Sequence, residues 1–379
     1  MCMNKRKTAL VLSGGGSRGA YQCGVWQALT ELGTEIDIVV GVSVGAINGA
    51  MVVEGDVIKT ANLWRQIETD QIFDVEPDAQ LQDFAKEFIM NRGAGSTGLQ
   101  SMLKEYVDEE QIRRSPVDFG LLTVEFPSMK PHYLWKEDIP EGRLCDYITA
   151  SASAFPAVKT FDIDGKDFID GGYEDNLPAA MALEKGADEV IAVYLDAVGR
   201  FRPEQFSAIP NLTFIESKWD LGDFLVFKKE NAKRILRLGY LDAMKTFGVF
   251  DGEYYAFAKG AFDKRTLRQA DQAAKTFHLD PLLLYRRDFF LEKLSDAVAD
   301  TARDADSGLS LSLSELKGAS AISKIRELLN LANQKTVTLF IAENLKQRGE
   351  ESLFLTKYGS KLFKEELRTA KFLLKYQLI

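Results

Sequence analysis

The chain has 379 residues, of which 46% are hydrophobic and 27% charged, and its net charge is −9. That is the composition of a soluble globular protein, long enough for two domains or for one large domain with an appendage. The negative balance argues against nucleic acid as the main partner. Three cysteines at unpatterned spacing, Cys2, Cys23 and Cys145, fit neither a disulfide framework nor a zinc site. No run approaches the roughly 18 apolar residues of a membrane span. The apolar stretch after Lys5-Arg6-Lys7 is too short for a signal peptide. A cytoplasmic protein is expected.

In chain order, residues 8–12 form a short apolar run bounded by charge and glycine, which reads as a buried strand. Residues 13–19 are a glycine-rich turn. In residues 20–32, Val25, Ala28, Leu29 and Leu32 recur at helical spacing, and Gly33 ends the helix. The apolar run of residues 36–40 leads into Gly41-Val42-Ser43-Val44-Gly45, and a helix-compatible segment follows. Strand, sharp turn and helix in this order are the setting of a nucleophile elbow. Gly41 and Gly45, having no Cβ, are expected to fit the tight turn around Ser43 and would tolerate unusual dihedrals there.

Residues 54–111 are mostly amphipathic helix, interrupted by a loop at 91–98 that reads as a connector. Strands are expected at 119–126 and 132–135, and a helix at 144–154. Residues 161–169 alternate around Asp164-Gly165, a hairpin signature, which delivers Asp170-Gly171-Gly172 at a strand end. A helix containing residues 179–183 and a buried strand at 190–195 follow. From Trp219 onward long helices dominate. Residues 224–247 are expected to carry Phe224, Phe227, Ile235, Leu238, Leu241 and Met244 on one helical face. Residues 300–323, rich in Ser, Ala, Asp and Gly, read as a mobile connection. Residues 317–379 hold 12 Lys/Arg and 6 Asp/Glu, a local charge of +6. This basic tail suits peripheral contact with an anionic lipid surface. A helical bundle with a solvated charged face is the plainer explanation.

Gly14-x-Gly16-x-x-Gly19 matches a dinucleotide-binding fingerprint. That reading needs an acidic residue at the end of the second strand; Asp37 lies inside that strand and Glu35 before it. The other use of the loop is as a patch of main-chain donors beside Ser43. First and second strands of a parallel sheet are commonly neighbours. A serine in an elbow also needs a base. His132 and His278, the two histidines, lack a recognisable catalytic setting. Asp170 fills the gap: an aspartate beside the hydroxyl accepts its proton, and burial raises its basicity. No metal cluster or cofactor motif is visible.

Gly14-Gly15-Gly16-Ser17-Arg18-Gly19, Gly41-Val42-Ser43-Val44-Gly45 and Asp170-Gly171-Gly172, in this order and spacing, together resemble the patatin-like phospholipase family. The resemblance runs from about residue 8 to 196 and includes Ser151-Ala152-Ser153-Ala154-Phe155-Pro156 and Asn176-Leu177-Pro178. It implies an α/β fold, a three-layer α/β/α sandwich over residues 1–250, and leaves residues 251–379 as a mostly helical extension. It further implies Ser43 as nucleophile and Asp170 as its partner in a Ser-Asp dyad. The oxyanion site would be drawn from Gly14, Gly15, Gly16, Ser17, Arg18 and Gly19. Gly41, Gly45, Gly171 and Gly172 would support elbow and dyad. The expected substrate is a lipid ester, a phospholipid above all, cleaved without cofactor or metal. The competing readings are a nucleotide-binding protein using the glycine loop and a lipid-associated scaffold using the basic tail.

Overall fold

The structure, a computed structural model, describes residues 6–76, 79–306 and 333–379. The chain divides into two compact units, Met1–Thr246 and Phe247–Ile379.

The first unit is built on one sheet. Its strands are β1 (Thr8–Leu12), β2 (Ile38–Val42), β3 (Asp118–Phe126), β4 (Lys130–Trp135), β5 (Phe161–Ile163), β6 (Lys166–Asp170), β7 (Glu189–Tyr194) and β8 (Leu212–Glu216). They lie in the order β5-β6-β3-β2-β1-β7-β8, with β4 paired to β3. The β1, β2 and β7 strands are buried on both faces and read as continuous apolar runs, as parallel strands between two helical layers do. Ala9, Val11, Ile38 and Val40 pack with Leu177, Ala179, Met181 and Ala182 around the helix Ala179–Glu184. On the other face, α1 (Gly19–Glu31) and α2 (Val44–Glu54) pack together, and Gly49 of α2 sits against Val39 and Phe119. The three-layer α/β/α arrangement expected from the sequence is the one observed.

Parallel β1 and β2 bring Leu12 beside Gly41. The glycine-rich turn after β1 and the elbow after β2 therefore emerge together. The next strand, β3, determines what meets the elbow. One edge of β3 is taken by antiparallel β4, from Gly120 to Glu125. The other edge is shared. Parallel β2 covers Asp118–Leu122, ending with Val42 opposite Leu122. Antiparallel β6 covers Thr123–Phe126, ending with Asp170 opposite Thr123. The two strands thus run head-on along one edge and stop at consecutive β3 residues. Ser43 follows one end and Asp170 is the other. The Asp164-Gly165 turn, with both residues at positive φ (54° and 80°), returns the chain into β6 as the hairpin signature requires.

Two expectations need correction. Phe224 and Phe227 do not share the amphipathic helix, which spans Lys229–Thr246; they precede it and line the cavity described below. The helix Arg287–Asp306 covers the start of the expected mobile connection at residue 300, and residues 307–323 lie outside the described residues, as do residues 317–332 of the basic tail. The β8 strand, unmarked by the sequence reading, extends the parallel part of the sheet beyond β7.

The second unit holds the three-stranded sheet of Phe250–Asp251, Ala256–Ala258 and Leu284–Tyr285. It also holds the helices Lys264–Thr276, Arg287–Asp306, Gln334–Arg348, Lys357–Leu362 and Lys364–Lys375. No helix among the described residues is long and apolar enough to cross a membrane.

Gly45 gives a direct test of the elbow's packing. A Cβ there would lie 2.3 Å from the Leu12 carbonyl oxygen and 2.7 Å from that of Ser13, main-chain atoms with nowhere to go. Gly45→Ala is expected to cost about 3 kcal/mol or more in urea unfolding. Gly49→Ala, whose Cβ meets only side chains at 3.0–3.1 Å, is expected to cost less than about 1 kcal/mol.

Candidate functional site

Ser43 sits at the tip of the elbow with φ 57° and ψ −128°, and it caps α2. A non-glycine residue at positive φ is strained and persists only where its surroundings hold it. Here the strain belongs to the serine, and the flanking glycines supply room. A Cβ on Gly41 would fall 2.1 Å from the Gly45 carbonyl oxygen, so the residues two before and two after Ser43 do nearly touch. Neither glycine takes a positive φ; what the elbow uses is their lack of a Cβ.

The elbow is pinned from beneath by Ser151. The Ser43 N–H donates to Ser151 Oγ at 2.9 Å, and that hydroxyl donates to the Leu122 carbonyl at 2.7 Å. Ser151 is fully buried. Thr123 Oγ1 in turn donates to the Ile169 carbonyl at 2.9 Å, and the Asp170 N–H donates to the Ser153 carbonyl at 2.9 Å. The junction of β2, β3 and β6 is therefore fastened by side-chain hydroxyls as well as by the strand ladder.

Asp170 shares the cavity wall with Ser43 and accepts the Gly172 N–H on Oδ1 at 2.7 Å. Burial pushes its carboxyl up to about 6, and the Ser43 hydroxyl and the Gly172 N–H hold it below where burial alone would take it. Gly171 leaves no space for a side chain, since a Cβ would meet the Leu122 carbonyl oxygen at 2.1 Å. Gly172 packs against Asp170 and Asn176.

The glycine-rich loop closes the site from the β1 side; a Cβ on Gly14 would lie 3.1 Å from that of Ser43. Of its six expected members, four already have their N–H groups engaged. Gly14 donates to Asn176 O, Ser17 to Phe224 O, Arg18 to Gly15 O and Gly19 to Gly16 O. These four amides shape the turn and cannot also hold an oxyanion. The amides of Gly15 and Gly16 take no partner among the described residues. The side chains of Ser17 and Arg18 act as fasteners. Ser17 Oγ donates to Asp223 O at 2.6 Å. The Arg18 guanidinium donates to the carbonyls of Gly222, Leu195 and Asp196 at 2.8, 3.1 and 2.5 Å. They bind the loop to the end of β7 and to the segment carrying Phe224.

Ser43, Asp170, Gly14, Gly15 and Gly16 all line one cavity of about 470 Å³. Its remaining wall is overwhelmingly apolar, with Ile47, Met51, Trp64, Phe73, Phe155 and Phe227 among its members. Beneath the loop a buried chain of amides runs from the Ser13 carbonyl through Gln22 and Asn48 to the Trp64 indole, every link 2.8–2.9 Å. It fixes one wall of the cavity in place.

Asn176, of the Asn176-Leu177-Pro178 motif, joins the two glycine turns. Its carbonyl receives Gly14, its side chain touches both glycine turns, and its buried Nδ2 has no partner among the described residues. Neither histidine lines the cavity. His132 pairs with Glu125 at 3.2 Å on β4, and His278 belongs to the second unit. Asp37 accepts the Thr8 N–H at 3.0 Å, at the opposite end of β1 from the glycine loop, so it cannot serve a nucleotide there. No cluster that could hold a metal ion occurs among the described residues.

Residues 10–183 match the profile of the Patatin-like phospholipase family. Over that segment, just under half of its length, the chain is similar to the patatin-like phospholipases. A lysophospholipase nte1 of Aspergillus terreus is 27% identical over 213 residues, 53% of this chain. Patatin-like phospholipase domain-containing protein 7 of Rattus norvegicus is 30% identical over 193 residues, 49% of this chain. The chain spans only 13% of the length of either relative. A crystal structure of VipD from Legionella pneumophila aligns over 99% of this chain and 92% of that one, at TM-score 0.40 and 13% identity.

Ser151→Ala strips the buried Ser43 N–H and the Leu122 carbonyl of their shared partner. It is expected to lower stability by about 1–3 kcal/mol in urea unfolding, and more than Ser153→Ala, whose hydroxyl donates to Thr149 O in the last turn of the helix Leu144–Ser151.

Proposed function

We propose that the protein is a serine acyl hydrolase acting on carboxylic esters of lipids. The observation that carries this reading is that Ser43, the raised carboxyl of Asp170 and the amides of Gly15 and Gly16, which take no partner among the described residues, share the wall of one apolar cavity. An apolar pocket with a few convergent polar groups suits a substrate with a hydrocarbon chain and one reactive polar bond. The phospholipase and lysophospholipase names of the relatives point the same way.

In this reading Ser43 Oγ attacks the acyl carbonyl carbon while its proton passes to Asp170. The carbonyl oxygen becomes an oxyanion, held by the N–H groups of Gly15 and Gly16. Asn176 Nδ2, on the same cavity, buried and without a partner among the described residues, is available as a third donor. As the C–O bond breaks, the departing alcohol or lysolipid takes the proton from Asp170, leaving an acyl ester on Ser43. Water then attacks that ester, Asp170 again takes the proton, and the fatty acid leaves with Ser43 restored.

A carboxylate with an ordinary pKa near 3.9 is a poor base for a hydroxyl. Raising it to about 6 brings it closer to working pH, where general-base efficiency is greatest. The Ser151 bridge has a second consequence. With the Ser43 N–H already spent, the oxyanion donors come from the β1 loop and not from the elbow residue itself.

Ser43→Ala and Asp170→Asn are each expected to lower kcat/KM for a lysophospholipid or p-nitrophenyl ester by at least about 1000-fold. The wild-type protein should show one acidic limb. A base must be ionised to act, so kcat/KM falls as pH drops through about 6 and is level above it. A profile level down to pH 4, or an Asp170→Asn variant that keeps its turnover, would exclude Asp170 as the base.

A further inference from the structure

The second unit carries a feature that the proposed hydrolase chemistry does not use. Between the helices Lys264–Thr276 and Lys364–Lys375 lies an open groove of about 580 Å³. Its lining includes six cations, Lys264, Arg265, Arg268, Lys364, Arg368 and Lys371, and no carboxylate. The rest of the lining is Gln269, Ser360 and Leu367. None of the six is in an ion pair among the described residues.

This concentration is costly for the protein on its own. Lys264 with Arg268, and Lys364 with Arg368, are like-charge pairs one turn apart on their helices, a spacing that destabilises. All six share one groove in a chain whose net charge is −9. Carboxylates stand close by in sequence but are occupied elsewhere. Asp263 caps its own helix through the N–H groups of Arg265 and Thr266. Glu365 accepts from Gln272 at 3.5 Å and Glu366 from Gln334 at 3.1 Å. The helix surfaces are tied to each other instead by Lys375 Nζ to Thr266 Oγ1, at 3.0 Å. Neighbouring acids are thus diverted from the groove.

We propose that this groove is a binding site for a ligand bearing several clustered phosphate groups. Three arginines offer planar forks that match phosphate oxygens in pairs, and three lysines add point charges around them. An opening of this size admits a compact polyphosphorylated group, whereas an extended nucleic-acid backbone needs a longer basic track. A lipid headgroup and a free inositol phosphate present the same chemistry.

The test uses the full chain and two probes. One is soluble inositol hexakisphosphate, followed by calorimetry. The other is phosphatidylcholine vesicles containing a minor fraction of a lipid whose inositol headgroup carries added phosphates, followed by sedimentation. The variant R265Q/R268Q/K371Q removes three groove charges at exposed positions, and R286Q/K346Q/K357Q removes three from elsewhere in the same unit. Loss of about a hundredfold in affinity for either probe in the first variant, with little change in the second, supports the site; each basic residue near an anionic surface contributes roughly fivefold. Vesicle binding competed by the soluble probe makes the ligand lipid-borne; soluble binding alone makes it a free phosphate compound. The proposal is overturned if neither probe binds, if both variants weaken binding equally, or if duplex DNA of equal charge competes as well as the inositol phosphate.

Discussion

The site depends on how one edge of β3 is divided. Because β4 fills the opposite edge, β2 and β6 must share what remains, and they meet head-on at Leu122 and Thr123. A parallel strand arriving from one direction and an antiparallel strand from the other bring two chain segments more than 120 residues apart to neighbouring register positions. Strand pairing sets that register to a single residue, because a slip of one would turn every side chain to the wrong face. Ser43 and Asp170 are close because the sheet cannot be paired otherwise. Ser151, bonded to both the Ser43 N–H and the Leu122 carbonyl, ties the junction to the elbow.

The same constraint explains why the chain tolerates local strain. Ser43 holds a positive φ that an isolated peptide would abandon. Main-chain contacts at Gly41, Gly45 and Gly171 leave it no alternative, and the Ser151 bridge satisfies its N–H. Asp170 is likewise held where it would not choose to be charged, with burial working against the Ser43 hydroxyl and the Gly172 N–H. Both groups owe their condition to the packing of the sheet.

Much of this was legible in the sequence. The Asp164-Gly165 turn, the Gly41/Gly45 spacing and the apolar runs of β1, β2 and β7 are local signals, and local physics decides them. That Asp170 would stand on the same cavity as Ser43 was legible from the absence of a usable histidine and from the Asp170-Gly171-Gly172 turn. What stayed hidden was long-range. Nothing near Ser17 or Arg18 announces that their side chains clamp residues 195, 196, 222 and 223. For that reason the whole glycine loop reads as a set of donors, whereas among the described residues the amides of Gly14, Ser17, Arg18 and Gly19 are engaged and those of Gly15 and Gly16 take no partner. Phe224 and Phe227 fit a helical stripe by spacing, yet tertiary packing drew them into the cavity wall. The cationic groove joins residues about 100 positions apart, and only the folded second unit reveals it.

The central claim is that Ser43 is made nucleophilic by Asp170 at this junction. The most direct measurement is the rate and position of covalent labelling by an alkyl fluorophosphonate, read by intact-protein mass and peptide mapping across pH 4–8. A single adduct on Ser43 is expected, forming more slowly as pH drops through about 6 and almost absent in Asp170→Asn. An adduct on any other residue, or Ser43 labelling at an undiminished rate in Asp170→Asn, would contradict it.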